Sequence, residues 1–411
     1  MNVYLQRAVN VLTKINELAS ISEDPAGITR TFGTATFQQG SRVIQQWMED
    51  VGLQTRIDSI GNVRGRLESS NAGAKTFVIA SHMDTVVNAG KFDGPLGVIM
   101  GVDLVDQLVR SAKPLPFHIE LIAFSDEEGV RFHTTYLGSK VVAGSFDPDL
   151  LDKKDDSGST LSEVIQLMGN DVTQLPADAI APDDWFGYFE IHIEQGPVLY
   201  ERNVPVAVVT DIAGQKRIEI TFTGMAGHAG TVPMTMRQDA LCAAAEFVLE
   251  VEKLAATQVN LVATVGKLNV VNAASNVIPG EVSCSLDVRS NDEAVLMSAY
   301  QQLQQICLDI GHKRTVQVDW GLIQETASVA CDKGMSELLE QTIQRSGYDV
   351  IRLVSGAGHD GVPISLVAPI AMLFVRCFKG ISHNPLEHVD LTDMAATLQV
   401  ADTFMKYLLE Q

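Results

Sequence analysis

Between Lys216 and Leu322 the order of apolar patterns departs from the order on either side, and this interruption restricts the fold more than any other feature. Upstream, helix-like and strand-like segments alternate. Gly40–Gly52 reads as an amphipathic helix closed by a glycine, Thr76–Asp84 as a buried strand, Gly97–Ser111 as a helix and Phe117–Ser125 as a second strand. Such alternation predicts an α/β domain with a largely parallel sheet, because parallel neighbours need a crossover between them. Downstream the pattern resumes with a buried strand at Ile370–Val375 and a closing amphipathic helix over residues 393–410. The middle differs. Lys216–Gly224 alternates as a strand, Asp239–Ala256 is a helix opened by an Asp N-cap, and Leu261–Val271 and Glu281–Val288 are strands. Asp292–Gly311 is a second helix and residues 315–322 a last strand. The order β-α-β-β-α-β is that of a ferredoxin-like unit. One pattern set inside another predicts an inserted domain at 211–327, with 1–210 and 328–411 packing together. A length of 411 residues agrees, being too long for one ordinary core.

A formal charge of −21 argues against nucleic acid or an anionic membrane as the main partner. Cys242, Cys284, Cys307, Cys331 and Cys377 are scattered without C-x-x-C spacing, which predicts neither a zinc knuckle nor a disulfide scaffold and suits a reducing cytoplasm. The first residues show helical spacing rather than a signal-peptide pattern. No apolar run approaches the ~20 residues needed to span a bilayer. The chain is therefore expected to be soluble and cytoplasmic. Residues 146–186 are acidic and loop-rich, and read as a solvated surface insertion. Lys154 stands where a calcium loop needs an oxygen ligand, so an EF-hand is excluded.

The chemistry concentrates at predicted strand ends. His82 and Asp84 follow one apolar strand, with Asp93 in the glycine-containing loop beyond. Asp126, Glu127 and Glu128 crowd the end of the next. Open α/β sheets bind ligands at the carboxyl ends of their strands. His192 and Glu194 stand two apart in a strand-like run, so they share a face. His383 follows the Ile370–Val375 strand. Imidazoles and carboxylates gathered this way point to divalent metal. Gly356, Gly358 and Gly361 spell G-x-G-x-x-G, but the VPISLVAP that follows does not open the helix a dinucleotide site requires. Close backbone approach to a ligand explains these glycines equally well. No G-x-S-x-G occurs. His118, His133, His312 and His388 read as structural or surface residues.

Taken together, SHMDTVVNAGKFDG, DEEGVRF, HIEQGPVL, GQKR, GHAGTVPM, NVIPG, DVRS, SGAGHD and GISHNPLEH, in this order across nearly the whole chain, resemble one family. It is the hydantoinase/carbamoylase branch of the dinuclear metallopeptidases. Within it, HMDTVVNAGKFDG, EEGVRFHTTYLGS and AGHAGTVPMTMRQD look most like allantoate amidohydrolases, while N-carbamoyl-L-amino-acid hydrolases share most of the motifs. The resemblance implies two divalent cations per subunit, Zn²⁺ or Mn²⁺, with Co²⁺ also compatible. Asp93 resembles the bridging carboxylate, His82 and His192 the other ligands of one metal, and Glu128 and His383 those of the other. Asp84 resembles the acid that orients His82, and Glu127 the general base. In an extended chain the adjacent Glu127 and Glu128 would point apart. His228 resembles an oxyanion stabiliser reaching the partner subunit's site. Asn276 and Arg289 resemble residues that bind the substrate carboxylate, and Gln195, Gln215, Ser355 and Gly358 further substrate contacts. The implied activity is hydrolysis of one ureido group of allantoate to ureidoglycine, ammonia and CO₂. The alternative is hydrolysis of an N-carbamoyl-L-amino acid. The inserted domain would serve as lid and as homodimer interface.

Overall fold

The run Phe77-Val78-Ile79-Ala80 is apolar at every position, as a strand covered on both faces must be. In the computed structural model, which describes residues 2–410, it is the heart of the strand Thr76–His82, buried throughout. That strand pairs in parallel with His118–Phe124 on one side and Trp185–Ile193 on the other, and Ile370–Val375 continues the parallel set. The margins are antiparallel: Val63–Leu67 and Gln54–Ile57 at one edge, Val206–Ile212 and Val329–Ala330 at the other. The fold is thus mixed α/β with a mostly parallel central sheet.

The helix expected at Gly97 begins earlier, at Pro95, and runs to Ser111. Proline suits the first helical position, where its missing N–H is not needed. The preceding Gly94 takes φ 81°, open to glycine at little cost. The helix expected from Gly40 likewise starts earlier, spanning Ala35–Asp50 with Thr34 as its N-cap.

Contacts divide the chain into Met1–Thr210 with Cys331–Gln411, and Asp211–Ala330. The second unit ends at 330 rather than 327, because Val329–Ala330 pairs antiparallel with Ile212 and Asp211 at its other end. Its elements run Gly214–Thr223, Ala240–Thr257, Leu261–Val270, Glu281–Ser290, Glu293–Arg314 and Gln317–Thr326. The four strands form one antiparallel sheet in the order last, first, third, second. Asp239 caps its helix as expected, accepting the Cys242 N–H at 3.0 Å. Ile218, Ile220 and Phe222 alternate inward with Val282, Cys284, Leu286 and Val288 against Ala243, Phe247, Leu303 and Cys307. The opposite face carries Arg217, Glu219, Asp287 and Arg289 around a cavity of about 630 Å³.

One expectation is overturned. Residues 146–186 are not simply a solvated insertion. Leu161, Val164, Ile165 and Leu175 join the main core. Leu161–Leu167 is a helix whose Thr160 and Glu163 form a reciprocal capping box. Acidic flanks hide an apolar stripe that pays for the ordering of this segment.

Candidate metal centre

Each parallel strand delivers a polar residue where its apolar run stops. His82 is the last residue of Thr76–His82, and the chain then turns so that Met83 N–H bonds to Phe124 O at 3.0 Å. This seats the start of the acid run beside it. His192 lies near the end of its strand, opposite Phe374. Asp93 lies in the loop leading to Pro95–Ser111. A Cβ on Gly94 would stand 2.5 Å from the His82 ring, so glycine there leaves room for the imidazole against the backbone. His383, at φ 53°, is half exposed beyond Ile370–Val375.

Asp93 is the centre of the arrangement, 5% exposed. Its Oδ1 lies 3.2 Å from His192 Nε2 and 3.7 Å from His82 Nε2. Its Oδ2 lies 3.1 Å from His383 Nε2, which is 3.4 Å from Glu128 Oε1. His82, Asp93 and His192 form one set with ligand atoms within 4.8 Å of one another, and Asp93, Glu128 and His383 form a second. Asp93 Oδ1 is buried and accepts no hydrogen bond. Such an atom calls for a partner, and a cation held by Asp93 with His82 and His192 would supply one. Imidazole and carboxylate together suit Zn²⁺, Mn²⁺ or Co²⁺. The residues therefore fit a pair of divalent ions.

The far sides of the rings are tied down. His192 Nδ1 lies 2.9 Å from Ile193 O, and His82 Nδ1 lies 3.2 Å from Asp84 O. A ring that donates through Nδ1 presents the Nε2 lone pair to a metal. Asp84 thus orients His82 through its backbone carbonyl; its carboxylate, 3.6 Å from Nδ1, is too distant for a hydrogen bond. That carboxylate instead accepts the N–H groups of Glu127 at 3.1 Å and Glu128 at 3.2 Å, fixing the acid run. The two glutamates do not point apart: His82, Glu127 and Glu128 bring ligand atoms within 4.8 Å. The chain turns at Asp126, which adopts φ 52°. Burial pushes the Glu127 carboxyl well above its usual range, with Glu128, Asp360 and Asp84 adding to the effect against His82. Asp93 is held well below its usual range: burial opposes this, but the contacts from His192, His383 and His82 outweigh it.

The remaining candidates fall elsewhere. Gln195 Nε2 donates to Asp93 Oδ2 at 3.0 Å, so it touches the carboxylate shared by the two side-chain sets. Ser355 Oγ lies 2.7 Å from His359 Nε2, and the His359 ring meets that of His192 at 4.4 Å. Gly358 lies so close to the Tyr136 hydroxyl that a Cβ would clash. Glu194 does not join His192; it turns away to accept Val198 N–H and Leu199 N–H at 2.8 and 2.9 Å. In the second unit, Gln215 is paired in register with Arg289, and both bond Asp287. His228 pairs with Val277 on a short two-stranded ribbon, beside the exposed Asn276. Gly230 N–H donates to His228 Nδ1 at 3.0 Å, which puts the proton of a neutral ring on Nε2. His359, Glu190 and Glu387 were not singled out by sequence reasoning. His359 and Glu387 stand within the quoted SGAGHD and GISHNPLEH, and Glu190 two residues before His192 on the same face.

Residues 78–407 match the model of peptidase family M20/M25/M40. Allantoate deiminase 2 of Glycine max is 38% identical over 97% of this chain and 89% of its own length. An N-carbamoyl-L-amino acid amidohydrolase of Geobacillus stearothermophilus is 36% identical over 94% of this chain and 95% of its own. A crystal structure of a hydantoinase/carbamoylase family amidase from Burkholderia multivorans superposes with a TM-score of 0.90 at 34% identity, covering 97% of both chains. With the family model spanning most of its length and such relatives covering nearly all of it, this chain belongs to peptidase family M20/M25/M40.

Proposed function

We propose that the chain is a dinuclear metal-dependent hydrolase that cleaves a ureido C–N bond, with allantoate as its substrate. The observation that carries the reading is the sharing of one buried carboxylate, Asp93, between two sets of metal-ligating side chains. His82 and His192 would hold one cation, Glu128 and His383 the other, and Asp93 both. Bound there, the cations supply Lewis acidity that polarises a carbonyl and acidifies water. Glu127 takes the proton of the attacking water and returns it to the leaving nitrogen. Water adds to the ureido carbonyl and the bond to the α-carbon nitrogen breaks. Ureidoglycine leaves as the amine, and the carbamic acid formed falls to ammonia and CO₂. The substrate class is supported by the relatives, which are named for allantoate and for N-carbamoyl-L-amino acids.

The inserted, ferredoxin-like unit is proposed as lid and dimerisation module. In a homodimer, His228 would meet the oxyanion that develops in the partner subunit's site, and its Nε2–H is the donor that role requires. Asn276 and Arg289 would bind the substrate carboxylate, for which the planar guanidinium fork is suited. Gln195, Gln215, Ser355 and Gly358 are proposed to line the remaining surface of the substrate. Among the described residues no helix is long and apolar enough to cross a membrane. The dispersed free thiols suit a cytoplasmic setting.

Hydrolysis of N-carbamoyl-L-amino acids is the second reading. It is favoured by the 36% identity of the Geobacillus amidohydrolase. Both substrates set a carboxylate beside a ureido group, so Arg289 serves either. Enzyme reconstituted with Zn²⁺ or Mn²⁺ is expected to release ammonia from allantoate faster than amino acid from N-carbamoyl-L-amino acids. Preference for the latter would replace the substrate, and no turnover of either would end the ureido reading.

A further inference from the structure

The loop that carries His383 also carries a buried carboxylate to which the reaction above gives no task. Glu387 is 4% exposed. A carboxylate withdrawn from water costs free energy unless its lone pairs are satisfied. Glu387 Oε1 accepts the backbone N–H of Phe92 at 2.7 Å and of Asp93 at 3.1 Å. Its Oε2 lies 3.0 Å from Ser382 Oγ, and that same hydroxyl lies 3.0 Å from Asp93 Oδ2. Glu387 thus holds Asp93 through its backbone, and Ser382, whose one proton can go to either carboxylate, stands between the two side chains. The fit is close: a Cβ on Gly90 would stand 2.3 Å from the Glu387 carboxyl carbon. The carboxylate needs a bare backbone to lie against.

These contacts join segments far apart in sequence. Asp93 belongs to the loop after Thr76–His82, while Ser382, His383 and Glu387 belong to the loop after Ile370–Val375. Asp93 and His383 must hold a fixed spacing if one cation is to sit between them, and a metal tolerates little error in ligand position. His383 is half exposed and cannot set that spacing by packing alone. Asp93 must also keep Oδ1 turned to His82 and His192 while Oδ2 serves His383. Donors from Ser382 and Gln195 meet Oδ2, and none meets Oδ1. The carboxylate is therefore held from one side and left open on the other.

We propose that Glu387 is a positioning residue that clamps the Asp93 loop to the His383 loop, and that the affinity of the centre for its cations depends on this clamp. The proposal rests on the metal-centre reading given above. It differs from a role in folding alone, which would lower the thermal stability of the cation-free protein and leave cation affinity unchanged.

The test is titration of the full-length, metal-stripped protein with Zn²⁺ against a chromophoric chelator, with circular dichroism and melting of the metal-free protein in parallel. Wild type is expected to take up two Zn²⁺ per chain. Glu387→Ala is expected to bind them about ten- to a hundred-fold more weakly, as loss of a ligand's supporting partner commonly does. Glu387→Gln is expected to stay close to wild type. Its amide oxygen still accepts both N–H groups, and its amide nitrogen donates to Ser382 Oγ, which leaves the serine proton for Asp93. Folded Glu387→Ala with wild-type zinc affinity overturns the clamp, as does Glu387→Gln binding as weakly as Glu387→Ala. Should Glu387→Ala fail to fold, Ser382→Ala decides: weaker zinc binding supports the clamp and unchanged binding overturns it. A wild-type protein that takes up no Zn²⁺ overturns the metal-centre reading and the proposal with it, an outcome distinct from a clamp that fails alone.

Discussion

Asp93 and Arg289 each sit among charged neighbours, but in opposite surroundings. Asp93 is buried with His82, His192, His383 and Glu128 converging on it, and one of its oxygens has no hydrogen-bond partner. Arg289 and Asp287 have side chains 27% and 28% exposed, and meet through paired N–H···O contacts of 2.9 Å. Arg217 and Gln215 add further donors to Asp287. In the first cluster the unpartnered Asp93 Oδ1 is shut away from water and lies among side chains that could hold a cation. The second is complete in itself, and a substrate carboxylate would only exchange one carboxylate for another. A buried, unpartnered oxygen shared by two sets of imidazoles and carboxylates suits a cation, and half-exposed, satisfied groups suit exchange of one partner for another.

This contrast ranks the expected effects of mutation. Asp93→Ala should be the most severe. It removes the one group common to both ligand sets, so cation uptake at both positions should fall and turnover should drop to background; metal analysis of the purified variant measures the first. Retention of both ions would dissolve the distinction drawn here. Glu127→Gln should keep both ions and lose about 10²- to 10⁴-fold in kcat, the usual worth of a general base. Normal turnover would strip Glu127 of that role. His228→Ala should cost about 10²- to 10³-fold in kcat, as loss of an oxyanion donor does. Mixing Glu127→Gln chains with His228→Ala chains should restore activity, because in the proposed homodimer one site of a mixed pair carries neither defect. Subunit exchange without recovery would place His228 in its own chain's site.

The parts legible in sequence are those where side-chain pattern and environment agree. Ile370–Val375 is apolar at each position because both its faces are covered, and its limits could be read directly. His82, Asp84, Asp93, Glu127, Glu128, His192, Glu194 and His383 stood out because polar residues at or beyond the ends of such strands need a reason to be there; the ligand set among them came only from the family resemblance. Leu161–Leu167 was obscured by its acidic flanks, although Thr160 and Glu163 spell the S/T-x-x-E signal of a helix start. Glu387 was illegible for a deeper reason. Its principal partners are the backbone N–H groups of Phe92 and Asp93, 295 and 294 positions away. Backbone donors are the same at every residue, so no pattern of side chains announces them. The mutual approach of Glu127 and Glu128 was equally hidden, since it depends on the left-handed turn at Asp126 rather than on strand periodicity.

The smallest expected effect tests the exposed half of the comparison. Arg289→Lys keeps the charge but replaces a planar fork with a single ammonium, which cannot meet both oxygens of a carboxylate in the same way. A partly exposed ion pair contributes at most about 1 kcal/mol to folding, so the melting temperature should barely move. Cation content should not change, because Arg289 belongs to neither ligand set. If Arg289 receives the substrate carboxylate, the lost charge-assisted hydrogen bond, at about 1.5–3 kcal/mol, should raise KM by roughly ten- to a hundred-fold. kcat should move less, since the contact is made before and during reaction alike. Steady-state kinetics on allantoate separates the two constants. A KM left at the wild-type value would mean that Arg289 does not receive the substrate carboxylate, and that the cluster on the insert is a structural ion pair.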